Sequence, residues 1–281
     1  MKKQHLNEKK MERFHTFLLE EERGSRTVEK YMRDIRKFYE FLGSDKQVTK
    51  ETVMEYKESL RKSYKISSAN SMIASLNCMF EFLGWCDCKV RSFRNQKQMF
   101  CEKEKELSKE EYCRLVDTAR AEGNERLAMV LQTICGTGIR ISELEAITVE
   151  AAKAGKAVVV GKGKRRVIFL PKKLRIYLQA YCRRNGIASG PVFRTRSGRA
   201  MDRSNIWLEM KKLGARAKVN PEKVFPHNLR HLFARTCYKV KKDIVYLADI
   251  LGHSSIETTR IYTISSGQEH MEMLSQLELV I

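Results

Sequence analysis

The stretch from residue 227 to residue 262, HNLRHLFARTCYKVKKDIVYLADILGHSSIETTRIY, restricts the fold more than any other. His227, Arg230 and His231 lie three and four positions apart, so a helix through them sets all three on one face. Pro226 suits the first turn of that helix, where no backbone N–H is needed. Leu247, Ile250 and Leu251 run into Gly252, a helix stop, which places His253 at a junction between helices. Ser254 and Glu257 have capping-box spacing and predict a new helix carrying Tyr262 two turns in. The region must therefore be helical, broken at a histidine, with a tyrosine beyond the break.

Those residue types suit a phosphate. Arginine offers a planar fork of donors for two oxygens, and histidine can donate a hydrogen bond or move a proton near neutral pH. Tyrosine, with a free pKa of about 10, can form a covalent intermediate once its ionisation is assisted. Each residue alone has an ordinary structural reading: His227 as a helix cap, Arg230 on a surface carboxylate, Tyr262 in the core. Their grouping is what points to chemistry.

Two further blocks lie upstream. In GTGIRISEL an apolar helix (Leu127, Val130, Leu131, Ile134) ends at Gly136-Thr137-Gly138, and Arg140 follows at a helix junction. Ser142 with Glu145 is expected to cap the next short helix. In VVVGKGKRRVIFLP two β-rich runs, 156–160 and 165–170, are joined by Gly161-Lys162-Gly163-Lys164, which predicts a hairpin presenting cations at its tip.

The charge agrees. The net charge is +20, and residues 151–221 hold nineteen Lys and Arg against two acidic residues, whereas residues 1–106 hold 23 against 17. Such a surplus implies a polyanion, either nucleic acid or an anionic membrane surface. The segment RTRSGRAMDRSN within it suits phosphate contacts. No apolar run of transmembrane length and no signal-peptide pattern occur, so a cytoplasmic protein with no membrane partner is expected. The eight cysteines (78, 86, 88, 101, 113, 135, 182 and 237) show no paired CxxC spacing. Reduced thiols, no metal site and no cofactor are expected.

With HNLRH, LGHSSIETTRIYT, GTGIRISEL and the GKGK hairpin in this order over about 120 residues, the chain resembles the tyrosine recombinase (phage integrase) family. The resemblance implies Tyr262 as nucleophile on a scissile phosphate, giving a 3′-phosphotyrosine link and a 5′-hydroxyl. It implies Arg140, Arg230 and His253 on the non-bridging oxygens, Lys162 as proton donor to the leaving oxygen, and His227 assisting proton transfer. Lys164 is the local competitor for the lysine role, and His231 is read as packing. Lys164, Arg165, Arg166, Arg194, Arg196, Arg199 and Arg203 are the expected DNA contacts.

The implied fold is mainly α with a small β-hairpin. A helical core-binding domain (1–88) and a linker (89–106) precede a catalytic α+β domain (107–281). Stripes at helical spacing support the first: Phe14, Phe17 and Leu18; Val28, Ile35 and Phe38; Val53, Tyr56 and Leu60 after a capping Thr49; and Met72, Leu76 and Leu83 after Ser67 or Ser68. Ser108 and Glu111 predict the cap that opens the second domain. The layout, without an additional arm-binding domain, is that of compact Xer-like or mobile-element recombinases. The implied partners are double-stranded DNA at a specific site, three further copies in a tetramer on synapsed DNA, and an accessory DNA-bending protein. The apolar tail (Met271, Leu274, Leu277, Val280, Ile281) is the segment expected to dock on a neighbour or on its own domain. Two other readings share these residues: a type IB topoisomerase-like enzyme, and a DNA-binding regulator that has lost catalysis.

Overall fold

The computed structural model describes residues 4–94, 105–161, 164–195, 198–199, 201–262 and 275–277. It is mainly helical with two small antiparallel sheets, and it divides into two compact units between residues 97 and 98.

The first unit is built by α1 (Glu8–Glu20), α2 (Ser25–Phe41), α3 (Lys50–Ser63) and α4 (Ile66–Phe82). The apolar stripes face inward: Phe14, Leu18, Ile35, Phe38, Leu76 and Phe80 are all buried. Phe38 meets Tyr56 and Phe80 edge-on at 5.0 and 5.9 Å, the arrangement that ring quadrupoles favour. Thr49 caps α3 in a capping box with Thr52. Helix α4 opens one residue ahead of the expected serines, with no side-chain cap. Two strands, β1 (Gln4–His5) and β2 (Gln47–Val48), pair antiparallel. Two residues are too few for a period-two pattern, so the sequence did not show them.

Residues 89–94, expected as linker, are strapped to α4. Asn77 donates to the Val90 carbonyl at 2.8 Å and accepts from its N–H at 3.0 Å. Asn70 grips Phe93 in the same two-way fashion at 3.0 and 2.7 Å. Asparagine amides can replace a strand partner in this way because each offers both a donor and an acceptor.

In the second unit Ser108 and Glu111 form the expected capping box at the start of α5 (Lys109–Ala121). Then come α6 (Glu125–Thr137), a 3-10 turn (Ile141–Ala146) and α7 (Val149–Ala154). The hairpin of β3 (Lys156–Gly161) and β4 (Lys164–Phe169) pairs Gly161 with Lys164. Ala157, Val159 and Ile168 face the core, while the alternate Val158, Val160, Val167 and Phe169 are exposed. Helices α8 (Lys172–Arg184), α9 (Arg203–Arg216), α10 (Pro226–Lys241), α11 (Ile244–Leu251) and α12 (Glu257–Arg260) complete the unit.

Two local expectations are corrected. The turn after Arg140 is closed by Glu143, whose carboxylate accepts the Arg140 N–H at 2.9 Å, and not by Ser142 with Glu145. Ser254 does not cap α12: the Ser255 hydroxyl accepts the Glu257 N–H at 3.2 Å, and Tyr262 follows the short helix instead of lying two turns inside it. Lys162, Arg196 and, of the tail positions, Met271, Leu274, Val280 and Ile281 lie outside the described residues. Leu277 is exposed.

Candidate active site

Arg230 is the centre of the site. It is 2 % exposed, on the first turns of α10, and its guanidinium reaches two helix ends. One Nη donates to the Gly138 carbonyl at 2.5 Å, and the other donates to the Leu251 carbonyl at 2.7 Å. Both carbonyls are free to accept because α6 and α11 end there in left-handed residues, Gly138 and Gly252, each with φ near +64°. The last carbonyls of a helix carry its partial negative charge, which suits a buried cation. Among the described residues no carboxylate pairs with Arg230. Burial, and then Arg140 nearby, push its pKa down to about 10.

His253 completes the cluster. Its Nε2 lies 3.0 Å from an Arg230 Nη and its Nδ1 2.8 Å from the Thr259 hydroxyl. Arginine can only donate, so Nε2 is the acceptor, the ring proton is on Nδ1, and Thr259 receives it. Burial first, and then the Arg230, Arg140 and Arg166 charges, hold His253 at about 4. His231 is held at about 4 by burial, His227 and Arg230, and His227 is lowered by burial, Arg230 and Arg140. All three imidazoles are therefore neutral at pH 7.

Tyr262 is 4 % exposed and packs in the small cluster of Ala234, Leu247 and Leu251 between α10 and α11. Its ring meets His231 edge-on at 4.7 Å and lies nearly parallel to His253 at 6.0 Å, and its hydroxyl is within reach of Arg230. His227 meets His231 at 4.5 Å. Five of the six positions that the sequence picked for chemistry thus converge; the sixth, Lys162, is outside the described residues.

Arg140 enters through Glu143. The Glu143 carboxylate takes the Arg140 guanidinium at 3.0 Å and the Arg166 guanidinium at 2.5 Å. Burial pushes the Glu143 carboxyl up, but the Arg140 N–H and the two guanidinium groups outweigh it and hold it below the usual range. Arg140, Arg166, Arg230 and Glu143 together leave two uncompensated positive charges. Nothing in the sequence pattern marked Glu143, Thr259 or the two helix-end carbonyls as members; only the glycines after α6 and α11 hinted at the latter. The other expected DNA contacts are scattered. Arg165, Arg199 and Arg203 are exposed, Arg194 is half-buried beside Tyr181, and Arg166 is turned inward.

Two family models match. That of the phage integrase family covers residues 105–269, and that of the phage integrase N-terminal SAM-like domain covers residues 11–86. The chain belongs to the phage integrase family. It is 29 % identical over 278 residues to tyrosine recombinase XerA of Pyrococcus horikoshii, covering 96 % of this chain and 94 % of that protein. It is 32 % identical over 183 residues to tyrosine recombinase XerD of Staphylococcus haemolyticus, covering 60 % and 61 % of the two chains. Its fold is similar to XerH site-specific recombinase bound to a palindromic difH substrate, with TM-score 0.71, 18 % identity, and 91 % and 81 % coverage. It is similar also to a lambda integrase dimer bound to a COC′ core site, with TM-score 0.71, 15 % identity, and 92 % and 77 % coverage. Within the phage integrase family this chain is a tyrosine-type site-specific recombinase, with an N-terminal SAM-like and a C-terminal catalytic domain.

Proposed function

We propose that the chain cleaves and rejoins duplex DNA at a specific site through Tyr262. The supporting observation is Arg230, a buried cation held by carbonyls with no carboxylate partner among the described residues. A buried, unpaired charge is costly, and an incoming anion relieves the cost. A phosphodiester meets Arg230 with Arg140 on one side and Tyr262 on the other.

In the forward step the Tyr262 oxygen attacks phosphorus while the bond from phosphorus to the 5′-oxygen breaks. The phenolic proton passes to neutral His227, and the leaving oxygen takes a proton from Lys162. Arg140 and Arg230 stabilise the charge that develops on the non-bridging oxygens, and His253 acts there through Arg230, from which its Nε2 accepts a hydrogen bond. The phosphotyrosine bond conserves the energy of the broken one, so a 5′-hydroxyl from another strand can reverse the step without ATP. Lys164, Arg165, Arg194, Arg196, Arg199 and Arg203 supply phosphate contacts, and residues 1–88 form a second DNA-binding domain joined through 89–106. Exchange between two duplexes requires four copies, which the apolar tail links, with a DNA-bending protein as an accessory. The enzyme works in the cytoplasm; no described helix is long and apolar enough to cross a membrane.

The test is incubation with a library of nicked duplexes, followed by SDS. A 3′-phosphotyrosine adduct from the native chain, absent with Tyr262→Phe, is the expected result. Tight, salt-sensitive binding with no adduct at any sequence would overturn it.

A further inference from the structure

Arg166 belongs to the hairpin, yet its guanidinium leaves it. One Nη donates to the Ile250 carbonyl at 2.9 Å, near the C-terminus of α11, and the other meets Glu143 at 2.5 Å. Its side chain is only 14 % exposed. Its stem crosses Gly252 so closely that a Cβ there would stand 2.3 Å from Arg166 Cδ. Three separate segments thus meet on one residue: strand β4, the turn that bears Arg140, and the helix end that bears His253.

We infer that Arg166 is a positioning residue, which braces the Lys162 hairpin against the Arg140 turn and the His253 loop and makes no contact with DNA phosphate. This rests on the reading of Arg140, His253 and Lys162 given above. An arginine is required because two acceptors in different segments must be spanned by one planar fork. Lysine can keep the charge beside Glu143, but its donors share one atom and lack the planar fork that sends one Nη to Glu143 and the other to the Ile250 carbonyl. Arg165, by contrast, precedes Arg166 on the same strand and is exposed. On this strand the adjacent arginines therefore differ, Arg165 facing outward and Arg166 serving as an inward strut.

The experiment compares Arg166→Gln, Arg166→Lys and Arg165→Gln in the full chain. Binding to a 30-bp duplex of arbitrary sequence is followed against salt, and backbone hydrogen exchange is read without DNA. Each lost phosphate contact lowers the slope of log K on log salt by about 0.9. Arg165→Gln is expected to lower it by that amount, and both Arg166 variants to leave it unchanged. Exchange at Glu143, Gly252 and His253 is expected to rise at least about tenfold in both Arg166 variants, while α5 and α8 keep their protection. A slope lowered by about 0.9, or unchanged exchange at both loops, would overturn the inference. If Arg166→Gln unfolds, Arg166→Lys decides by the same two readouts. On a nicked substrate that the native chain cleaves, the variants should slow adduct formation at saturating DNA with KM little changed. Failure of the native chain to cleave would sink the proposed function, while binding and exchange would still decide the role of Arg166.

Discussion

Tyr262 and His231 meet edge to face, with ring centroids 4.7 Å apart and planes at 80°. The pair fixes the tyrosine ring from below, because His231 is itself held by His227 at 4.5 Å along the same helix face. An alanine at 231 removes the wall against which Tyr262 rests. Adduct formation is expected to slow about 10- to 100-fold, the range for a reacting group displaced by about 1 Å. Binding to duplex DNA should stay within about twofold. An unchanged cleavage rate in a single-turnover gel assay would show that His231 only fills space.

Acid should weaken the protein in a defined window. His253 and His231 are both held at about 4 when folded, against about 6.5 when unfolded. Between these values the unfolded chain binds more protons than the folded one, so stability falls as pH drops from about 6.5 toward 4 and is complete above 6.5. Thermal midpoints between pH 7 and 4.5 are the measurement. The Glu143 carboxyl, held low by its arginine partners, adds to the decline only where the pH nears the ordinary carboxylate range. His231→Phe should flatten the decline; a midpoint that does not move between pH 6.5 and 4.5 would contradict the neutral assignment.

Thr259 has one visible task. It is fully buried and accepts the Nδ1 proton of His253. Thr259→Val keeps the shape and removes that acceptor, leaving a ring N–H without a partner at a cost of about 1–3 kcal/mol. The ring is then free to turn its proton toward Arg230, where two donors collide. Cleavage should slow about tenfold, corresponding to about 1.4 kcal/mol in the barrier. Recovery in Thr259→Ser, which restores the acceptor, separates this from a packing defect. Equal rates for the valine and serine variants would rule out the hydrogen bond as the cause.

The helices and the junctions that carry Arg140 and His253 were legible in the sequence, because apolar periodicity and helix-stop glycines are local signals; the resemblance to the phage integrase family is what joined Arg140 to His227, Arg230, His253 and Tyr262. What the sequence concealed was the work done by backbone and by single carboxylates. Gly138 and Leu251 hold Arg230 through carbonyl oxygens that every residue possesses, so no side-chain pattern announces them. Arg166 sits among cations of identical type, and only the fold distinguishes one turned to Glu143 from one turned to solvent. The caps at Ser142 and Ser254 were misplaced for a related reason. Each stretch holds a single pair at that spacing, but a neighbour takes the role: Glu143, drawn in by Arg140 and Arg166, in the first, and Ser255 in the second.

Gly138 offers a way to measure how much the Arg230 cradle depends on its backbone. Its φ of +64° costs a side chain about 1–2 kcal/mol, and a Cβ there would stand 2.4 Å from Phe233 Cδ1. Gly186 has a φ of +62° with nothing within 4 Å of its Cβ position, so Gly186→Ala reports the conformational cost alone. Gly138→Ala should lose that amount and about 1–3 kcal/mol more for the overpacking against Phe233. In urea unfolding of the full chain, the difference between the two variants is the packing contribution. Adding Phe233→Leu should recover part of that difference with Gly138→Ala but none with Gly186→Ala, since only neighbours couple. Because the Gly138 carbonyl is what Arg230 holds, Gly138→Ala should also slow cleavage, and Gly186→Ala should not. Equal losses in stability and equal cleavage rates for the two alanine variants would mean that Phe233 yields freely and that the cradle tolerates movement.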